Sequence, residues 1–371
     1  MSKNRISLGV FADGHLTNSL PYTVSGDKVR ISKLENYIVK FFSTISKEKV
    51  DGLIIPGDLL NSSKLDPDDV EILTHFFYEL YCRNINTVLC LGNHDIDGNS
   101  SALRSAHGVG FFSKLVRVYD GLFFTHRDES REGVQINYNA INFCSHKKFL
   151  TSVENIISTR LGEGFNILIG HIGVKGALHG STKSLTGVKQ EDIERISKHF
   201  DLVVLGHFHK YQWLTDNCFY PGAIHQTRLD EEGEIPGGGI VTLEKGKNPV
   251  FKKIENKFSP RFITVKDYIH SPEEIKGNIV KPILDTEGKS EEDNLVFLKS
   301  IQKNDPYFLI KPRTRRTFSI ERSSGESRPS SKRIALLKSM KEIVGDKKKM
   351  KPMYEHTMGV WKKAKEEVGN V

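Results

Sequence analysis

The sequence predicts an α/β fold, and three observations carry that prediction. Short apolar runs recur along the first two-thirds of the chain, and buried parallel strands read as such runs. Amphipathic stretches of helical period separate several of them. Five of the runs end abruptly in clusters of Asp, Asn, His and Gly. In open α/β sheets the chemistry sits at the carboxyl ends of the strands.

Taken in order, Ile6 to Phe11 predicts the first strand, ending at Asp13-Gly14-His15. A loop rich in Asn, Ser, Pro and Gly follows as far as Asp27. Ile31 to Lys47 has helical spacing, with Leu34, Ile38, Phe41, Phe42 and Ile45 on one side. Gly52 to Ile55 predicts the second strand, ending in Pro56-Gly57-Asp58. Asp66 then caps a helix with Pro67 in its first turn. The third strand, Thr87 to Leu91, delivers Gly92-Asn93-His94-Asp95. Between Val116 and Cys144 three shorter strands follow without a helix-length spacer, which predicts antiparallel pairing. A helix over Phe149 to Leu161 precedes the strand Asn166 to Ile169, which ends in Gly170-His171. A helix over Lys189 to Phe200 precedes the strand Asp201 to Leu205, which ends in Gly206-His207-Phe208-His209. Gly239 to Leu243 predicts one more strand.

Composition bounds the function. The chain has 371 residues, 37% of them apolar and 27% charged, enough for a core and a soluble surface. Its apolar runs fall short of the roughly 20 residues needed to cross a bilayer. No membrane partner is expected, and the N-terminus carries no signal-peptide core, so a cytoplasmic protein is expected. Cys82, Cys90, Cys144 and Cys218 form no Cys-x-x-Cys pair and are expected as free thiols. The net charge of +8 is concentrated: residues 299–371 carry +11 and the preceding 298 residues −3. A basic tail favours nucleic acid or an acidic partner, or is a solvated extension.

The strand-end residues are Asp13, His15, Asp58, Asn93, His94, His171, His207 and His209. With His94 set aside for proton transfer, two carboxylates, four imidazoles and an amide remain. They are too many for one ion and fit two divalent ions sharing a carboxylate. His-plus-carboxylate donors suit Mn²⁺, Fe or Zn²⁺ better than Ca²⁺ or Mg²⁺. Paired ions roughly 3.5–4 Å apart clamp phosphate oxygens and activate water. Gly57, Gly92, Gly170 and Gly206 beside the ligands permit close backbone approach.

In order, Asp13-x-His15, Gly57-Asp58, Gly92-Asn93-His94-Asp95, Gly170-His171 and Gly206-His207-x-His209 resemble the motifs of the calcineurin-like metallophosphoesterase superfamily. The resemblance implies a four-layer β-sandwich flanked by helices. It implies that Asp13, His15, Asp58 and His209 hold one metal, and Asp58, Asn93, His171 and His207 the other. His94 would protonate the leaving oxygen or stabilise charge, and Asp95 would orient His94. Mn²⁺ is the expected ion.

Val204 to Tyr211, with Tyr220-Pro221-Gly222-Ala223, further resembles the SbcD-type repair nuclease subunit. That resemblance implies a two-metal DNA exonuclease or endonuclease acting in repair or recombination. It also implies an SbcC-type, SMC-like ATPase partner and a homodimer. The expected organisation is a nuclease domain at 1–250, a small α+β capping domain at 251–316, a linker at 317–331 and a basic helical segment at 332–371 that binds the ATPase. Leu59 to Ser63 and the loop from Thr17 to Asp27 depart from the usual pattern. Arg313, Arg315, Arg316, Lys347, Lys348 and Lys349 are candidate phosphate contacts, or solvated linker charge. Leu73, Phe76, Phe77 and Leu80 are candidate dimer contacts, or core. Two alternatives stay open: a small-molecule or cyclic-nucleotide phosphodiesterase of the same superfamily, and a non-catalytic metal-binding scaffold.

Overall fold

Apolar residues at alternate positions build two sheets that share one core. The computed structural model describes residues 4–17, 20, 22, 29–97, 100–101, 103, 115–118, 121–266, 271–285 and 288–314. The chain runs β1 (Arg5–Val10), α1 (Val29–Lys47), β2 (Gly52–Pro56), α2 (Pro67–Cys82), β3 (Thr87–Cys90), β4 (Ile96–Asp97), β5 (Ser100–Ser101), β6 (Val116–Arg117), β7 (Phe123–Glu129) and β8 (Gln135–Ile141). It continues through α3 (His146–Thr159), β9 (Phe165–His171), β10 (Leu178–His179), β11 (Thr182–Lys183), α4 (Gln190–Ser197), β12 (Leu202–Gly206), β13 (Gln212–Thr215), β14 (Cys218–Tyr220), β15 (Gly239–Glu244) and β16 (Val250–Lys253). A last group holds β17 (Phe262–Val265), α5 (Pro272–Ile275), β18 (Ile279–Leu284), α6 (Glu291–Lys303), β19 (Phe308–Leu309) and β20 (Arg313–Thr314).

The first sheet has the order β16-β15-β1-β2-β3-β6 and the second β13-β14-β12-β9-β8-β7. Strands β1, β2 and β3 are mutually parallel, as are β8, β9, β12 and β14. Ile6, Leu8, Val10, Ile54, Val88 and Cys90 from one sheet meet Ile136, Tyr138, Ile167, Ile169, Leu202 and Val204 from the other. The residues between them face outward under helices. Leu53, Ile55 and Leu89 pack with α1 and α2, and Leu168, Val203 and Leu205 with α3 and α4. Period-two alternation with both faces buried therefore gives four layers, helix–sheet–sheet–helix.

The helices form as the patterning predicts. Asp66 and Asp69 complete a capping box around Pro67 at the start of α2. One face of α1 (Ile31, Leu34, Ile38, Phe41, Phe42, Ile45) is buried. Leu73, Phe76, Phe77 and Leu80 on α2 are buried too. They are core residues packed with α1, which excludes them as dimer contacts.

One pairing departs from expectation. β7 and β8 are antiparallel, but β6 lies parallel to β3 with Thr87 opposite Val116. The long segment between Cys90 and Val116 is ample for the crossover that a parallel pair needs.

After β16 a small separate sheet, β17-β18-β19 with β20 also on β18, is wholly parallel. Its own core joins Val265, Ile275, Val280, Phe297 and Ile301. Gln226 Oε1 accepts from Phe262 N at 2.7 Å, and Glu232 accepts from both Thr264 N and its hydroxyl. These bonds tie the small sheet to the loop after β14. The expected linker at 317–331 and the basic helical segment at 332–371 lie outside the described residues.

Candidate metal centre

Five strand ends converge on one point. Asp13 and His15 follow β1, Asp58 follows β2, and Asn93 and His94 follow β3, all in the first sheet. His171 closes β9, and His207 and His209 follow β12, in the second. β2 and β12 approach so closely that an added Cβ on Gly206 would stand 2.0 Å from Pro56 O, and one on Gly92 would stand 2.1 Å from Asp58 Oδ1. Glycine alone fits there. Asp13, His15, Asp58 and His207 have φ of +44°, +38°, +49° and +106°, in the left-handed region.

The donors face one another at short range. His15 Nε2 lies 3.0 Å from His209 Nε2 and 3.9 Å from Asp58 Oδ2. His171 Nε2 lies 3.2 Å from Asp58 Oδ2. His207 Nδ1 lies 3.2 Å from Asn93 Oδ1. The donor atoms of Asp13, His15 and His209 fall within 4.8 Å of one another, as do those of Asp13, Asp58 and His171, and those of His15, Asp58 and His94. Asp13, His15, Asp58 and His171 are almost fully buried, while His94 is exposed.

Three of the rings are set by a second partner. His171 Nδ1–H donates to Pro56 O at 2.8 Å, leaving Nε2 for the cluster. His209 Nδ1–H donates to Glu231 Oε1 at 2.6 Å, with the same result. His94 Nδ1 lies 2.7 Å from Asn61 O. Asp95 does not touch His94: its carboxylate accepts from Leu60 N at 2.9 Å and Gly92 N at 2.8 Å. It ties the two loops together, and the Asn61 carbonyl orients His94 in its place. Asp58 Oδ1 accepts from His94 N at 2.8 Å, and Asp13 Oδ1 from His207 N at 2.8 Å.

Burial and mutual charge move the groups of the cluster away from their ordinary values. Burial pushes the Asp13 carboxyl up, and burial holds His15 well below the usual imidazole range. Burial works against charge on Asp58 and His171 as well. Their mutual attraction outweighs it, so Asp58 sits below the usual carboxylate range and His171 is pushed up to about 9. Burial lowers His207 to about 4 and pushes Asp95 up to about 7. Asp13 Oδ2, His15 Nδ1 and His171 Nε2 are buried without a hydrogen bond. Buried polar atoms are normally satisfied, and two carboxylates among four imidazoles are donors that Mn²⁺, Fe or Zn²⁺ accept. The residues fit divalent ions.

Sequence patterning missed two residues of this site, His225 and Glu231. His225 is fully buried, its Nε2 2.9 Å from Gly14 O and its Nδ1 2.7 Å from the guanidinium of Arg30, itself buried. Glu231, which holds His209, lies on a short 3₁₀ turn at Leu229–Glu231. Glu231 follows no apolar run; for His225 the signal was the polar pair His225-Gln226 directly after Pro221-Gly222-Ala223-Ile224. Of the DNA-contact candidates, Arg313 opens β20. Arg315, Arg316, Lys347, Lys348 and Lys349 lie outside the described residues.

Comparison with known proteins agrees with the geometry. A model of the calcineurin-like phosphoesterase family matches residues 7–211. The chain is 22% identical over 238 residues to protein 078R of Invertebrate iridescent virus 3, a phosphoesterase by name, covering 63% of this chain and 65% of that one. It is 25% identical over 235 residues to the SbcD component of the SbcCD nuclease of Staphylococcus saprophyticus, covering 60% of this chain and 61% of that one. Both matches span less than two thirds of the relative's own length. Among solved structures, a dimetal phosphatase from Danio rerio is 12% identical with a TM-score of 0.42, covering 68% of this chain and 96% of that one.

Proposed function

Because this chain belongs to the calcineurin-like phosphoesterase family, we propose that it is a two-metal DNA nuclease hydrolysing backbone phosphodiesters. The observation that carries the hydrolase reading is the convergence of seven donors, three of their atoms buried and unsatisfied, beside an exposed imidazole. Asp13, His15, Asp58 and His209 would hold one divalent ion, and Asp58, Asn93, His171 and His207 the other, with Mn²⁺ the proposed species. Bound there, the ions would neutralise phosphate oxygens and acidify water.

The chain's own residues do the rest. His94 is held at Nδ1 by Asn61 O, so in its imidazolium form, with both nitrogens protonated, its Nε2–H would donate to the leaving oxygen. Its backbone N–H donates to Asp58 Oδ1 at 2.8 Å, which ties the proton donor to the carboxylate that would be shared. Glu231 and Pro56 O present His209 and His171 in the tautomer that leaves Nε2 as the ligand atom. Asp95 closes the Leu60 and Gly92 turns around them.

Support for DNA as the substrate is the SbcD-like stretch from Val204 to Tyr211, the named relative and the basic C-terminal fifth. The same likeness extends the proposal to an SbcC-type ATPase bound by residues 332–371. It also extends to a homodimer, which must use contacts other than the buried face of α2. No helix among the described residues is long and apolar enough to cross a membrane.

The test is digestion of an end-labelled linear duplex with Mn²⁺, comparing the wild type with His94→Ala. Shortening that depends on Mn²⁺ and is lost in the variant is the expected result. A wild type that ignores duplex and single-stranded DNA, alone and with the ATPase, while hydrolysing a small phosphodiester, would sink the DNA reading and favour a nucleotide phosphodiesterase. A chain that binds no Mn²⁺ and hydrolyses nothing would be a scaffold.

A further inference from the structure

A cavity of about 1060 Å³ opens beside the cluster, reaching from Asn93 and His207 to the first turn of α3. Its described lining includes His146 and Lys148 and no carboxylate. Phe143 stands in its wall, 40% exposed, although it lies only two residues past the buried run of β8. Its ring centroid lies 6.1 Å from that of His171 and 6.2 Å from that of His207.

The backbone around Phe143 is held firmly. Phe143 N donates to Leu91 O at 2.7 Å. The neighbouring Asn142 accepts from Leu91 N at 2.8 Å and donates to Gly121 O at 2.8 Å. An aromatic ring anchored at its base and open to the cavity loses little freedom when it binds a flat ligand. With Lys148 and no carboxylate in its described lining, the cavity admits phosphates without like-charge repulsion.

We propose that this cavity is a nucleobase subsite, in which Phe143 stacks on the base next to the scissile phosphate. The proposal rests on the reading of the chain as a nuclease and adds the group that tells a nucleotide from any other phosphodiester. Aromatic stacking accepts every base, because each has a π-face. Phe143 is thus a specificity residue for nucleotides as a class, with no sequence preference of its own.

Two esters separate this role from mere support of His207. Thymidine 5′-(p-nitrophenyl phosphate) carries a base, and methyl p-nitrophenyl phosphate carries none. With the Mn²⁺-loaded full chain, Phe143→Ala should lower the ratio of kcat/KM, thymidine over methyl ester, by roughly tenfold, chiefly through KM. Phe143→Trp should restore the ratio. An unchanged ratio, or both esters falling in step, overturns the proposal. A second arm needs no turnover. Oligothymidylate titrated into the Phe143→Trp protein should quench its emission saturably beyond any change in the wild type, and no such quenching overturns the subsite. If the wild type hydrolyses neither ester, the duplex digestion alone decides the nuclease reading and the quenching alone decides the subsite.

Discussion

The Nδ1–H of His209 is shared with Glu231 over 2.6 Å, and Glu231 also accepts from Thr227 N and the Thr227 hydroxyl. Burial would lower His209, but the Glu231 charge outweighs it and raises the imidazole above its ordinary value. Replacing Glu231 by Gln keeps the shape and removes the charge. Mn²⁺ affinity measured by calorimetry on stripped protein should then weaken by roughly 10- to 100-fold; an unchanged affinity would show that His209 needs no such partner. His225 supplies a different reading. Burial lowers it to about 3 from 6.5. Above pH 6.5 neither folded nor unfolded chain binds a proton there, and its stability contribution is fully present. Between pH 6.5 and 3 the unfolded chain takes up a proton that the folded chain refuses, so stability falls with pH by at most about 1.4 kcal/mol per unit from this residue. In His225→Gln, an amide can serve both Gly14 O and Arg30 without titrating. Urea unfolding at pH 7, 6 and 5 should show a flatter slope in the variant, and equal slopes would remove His225 as a cause of acid instability.

Strand ends place the ligands, and the close crossing of β2 and β12 makes that placement sensitive to a single methyl. Gly206→Ala would put its Cβ 2.0 Å from Pro56 O and 2.7 Å from His171 Nδ1. The expected cost is about 1–3 kcal/mol of stability, the usual range for overpacking, with weaker Mn²⁺ binding because Pro56 O and His171 part. Full stability and affinity would mean that the sheets can separate freely. Much of this layer of the structure was legible in the sequence. Apolar runs such as Leu53-Ile54-Ile55 and Val203-Val204-Leu205 are buried on both faces, so they stand out, and the polar residues ending them fall at the site by topology alone. The paired ends β6 and β3 were not legible, because register across a long crossover leaves no local pattern. β18 was hidden by Pro282 within it, and α6 by a charged first turn and exposed Leu295 and Val296. His225 and Glu231 were missed because a loop residue's partners are set by tertiary contacts, which have no period. The Asp95 role failed for a related reason: adjacency to His94 in sequence does not make the two side chains neighbours.

On the scale of the molecule, ions that bind only the folded cluster must stabilise the whole. At about 100 times its dissociation constant, Mn²⁺ should add about 2.7 kcal/mol. That shift should appear in thermal melting as a Tm rise of roughly 5–10 °C, reversed by a chelator. With His171 pushed up to about 9, ion and proton compete for the same nitrogen. The Tm rise at fixed Mn²⁺ should therefore grow as pH increases from 6 to 8; a rise independent of pH would place the ion elsewhere. The left-handed backbone at Asp13, His15, Asp58 and His207 has a consequence for how such an enzyme loses its function. At each of these positions a β-carbon carries a conformational penalty of about 1 kcal/mol, which glycine escapes. Asp13→Gly and Asp13→Ala delete the same carboxylate, yet the glycine chain should be the more stable of the two in the absence of ions. In a descendant no longer under selection for hydrolysis, drift toward glycine would be rewarded by stability, so the first trace of a lost activity would be a gain of glycines at the strand ends.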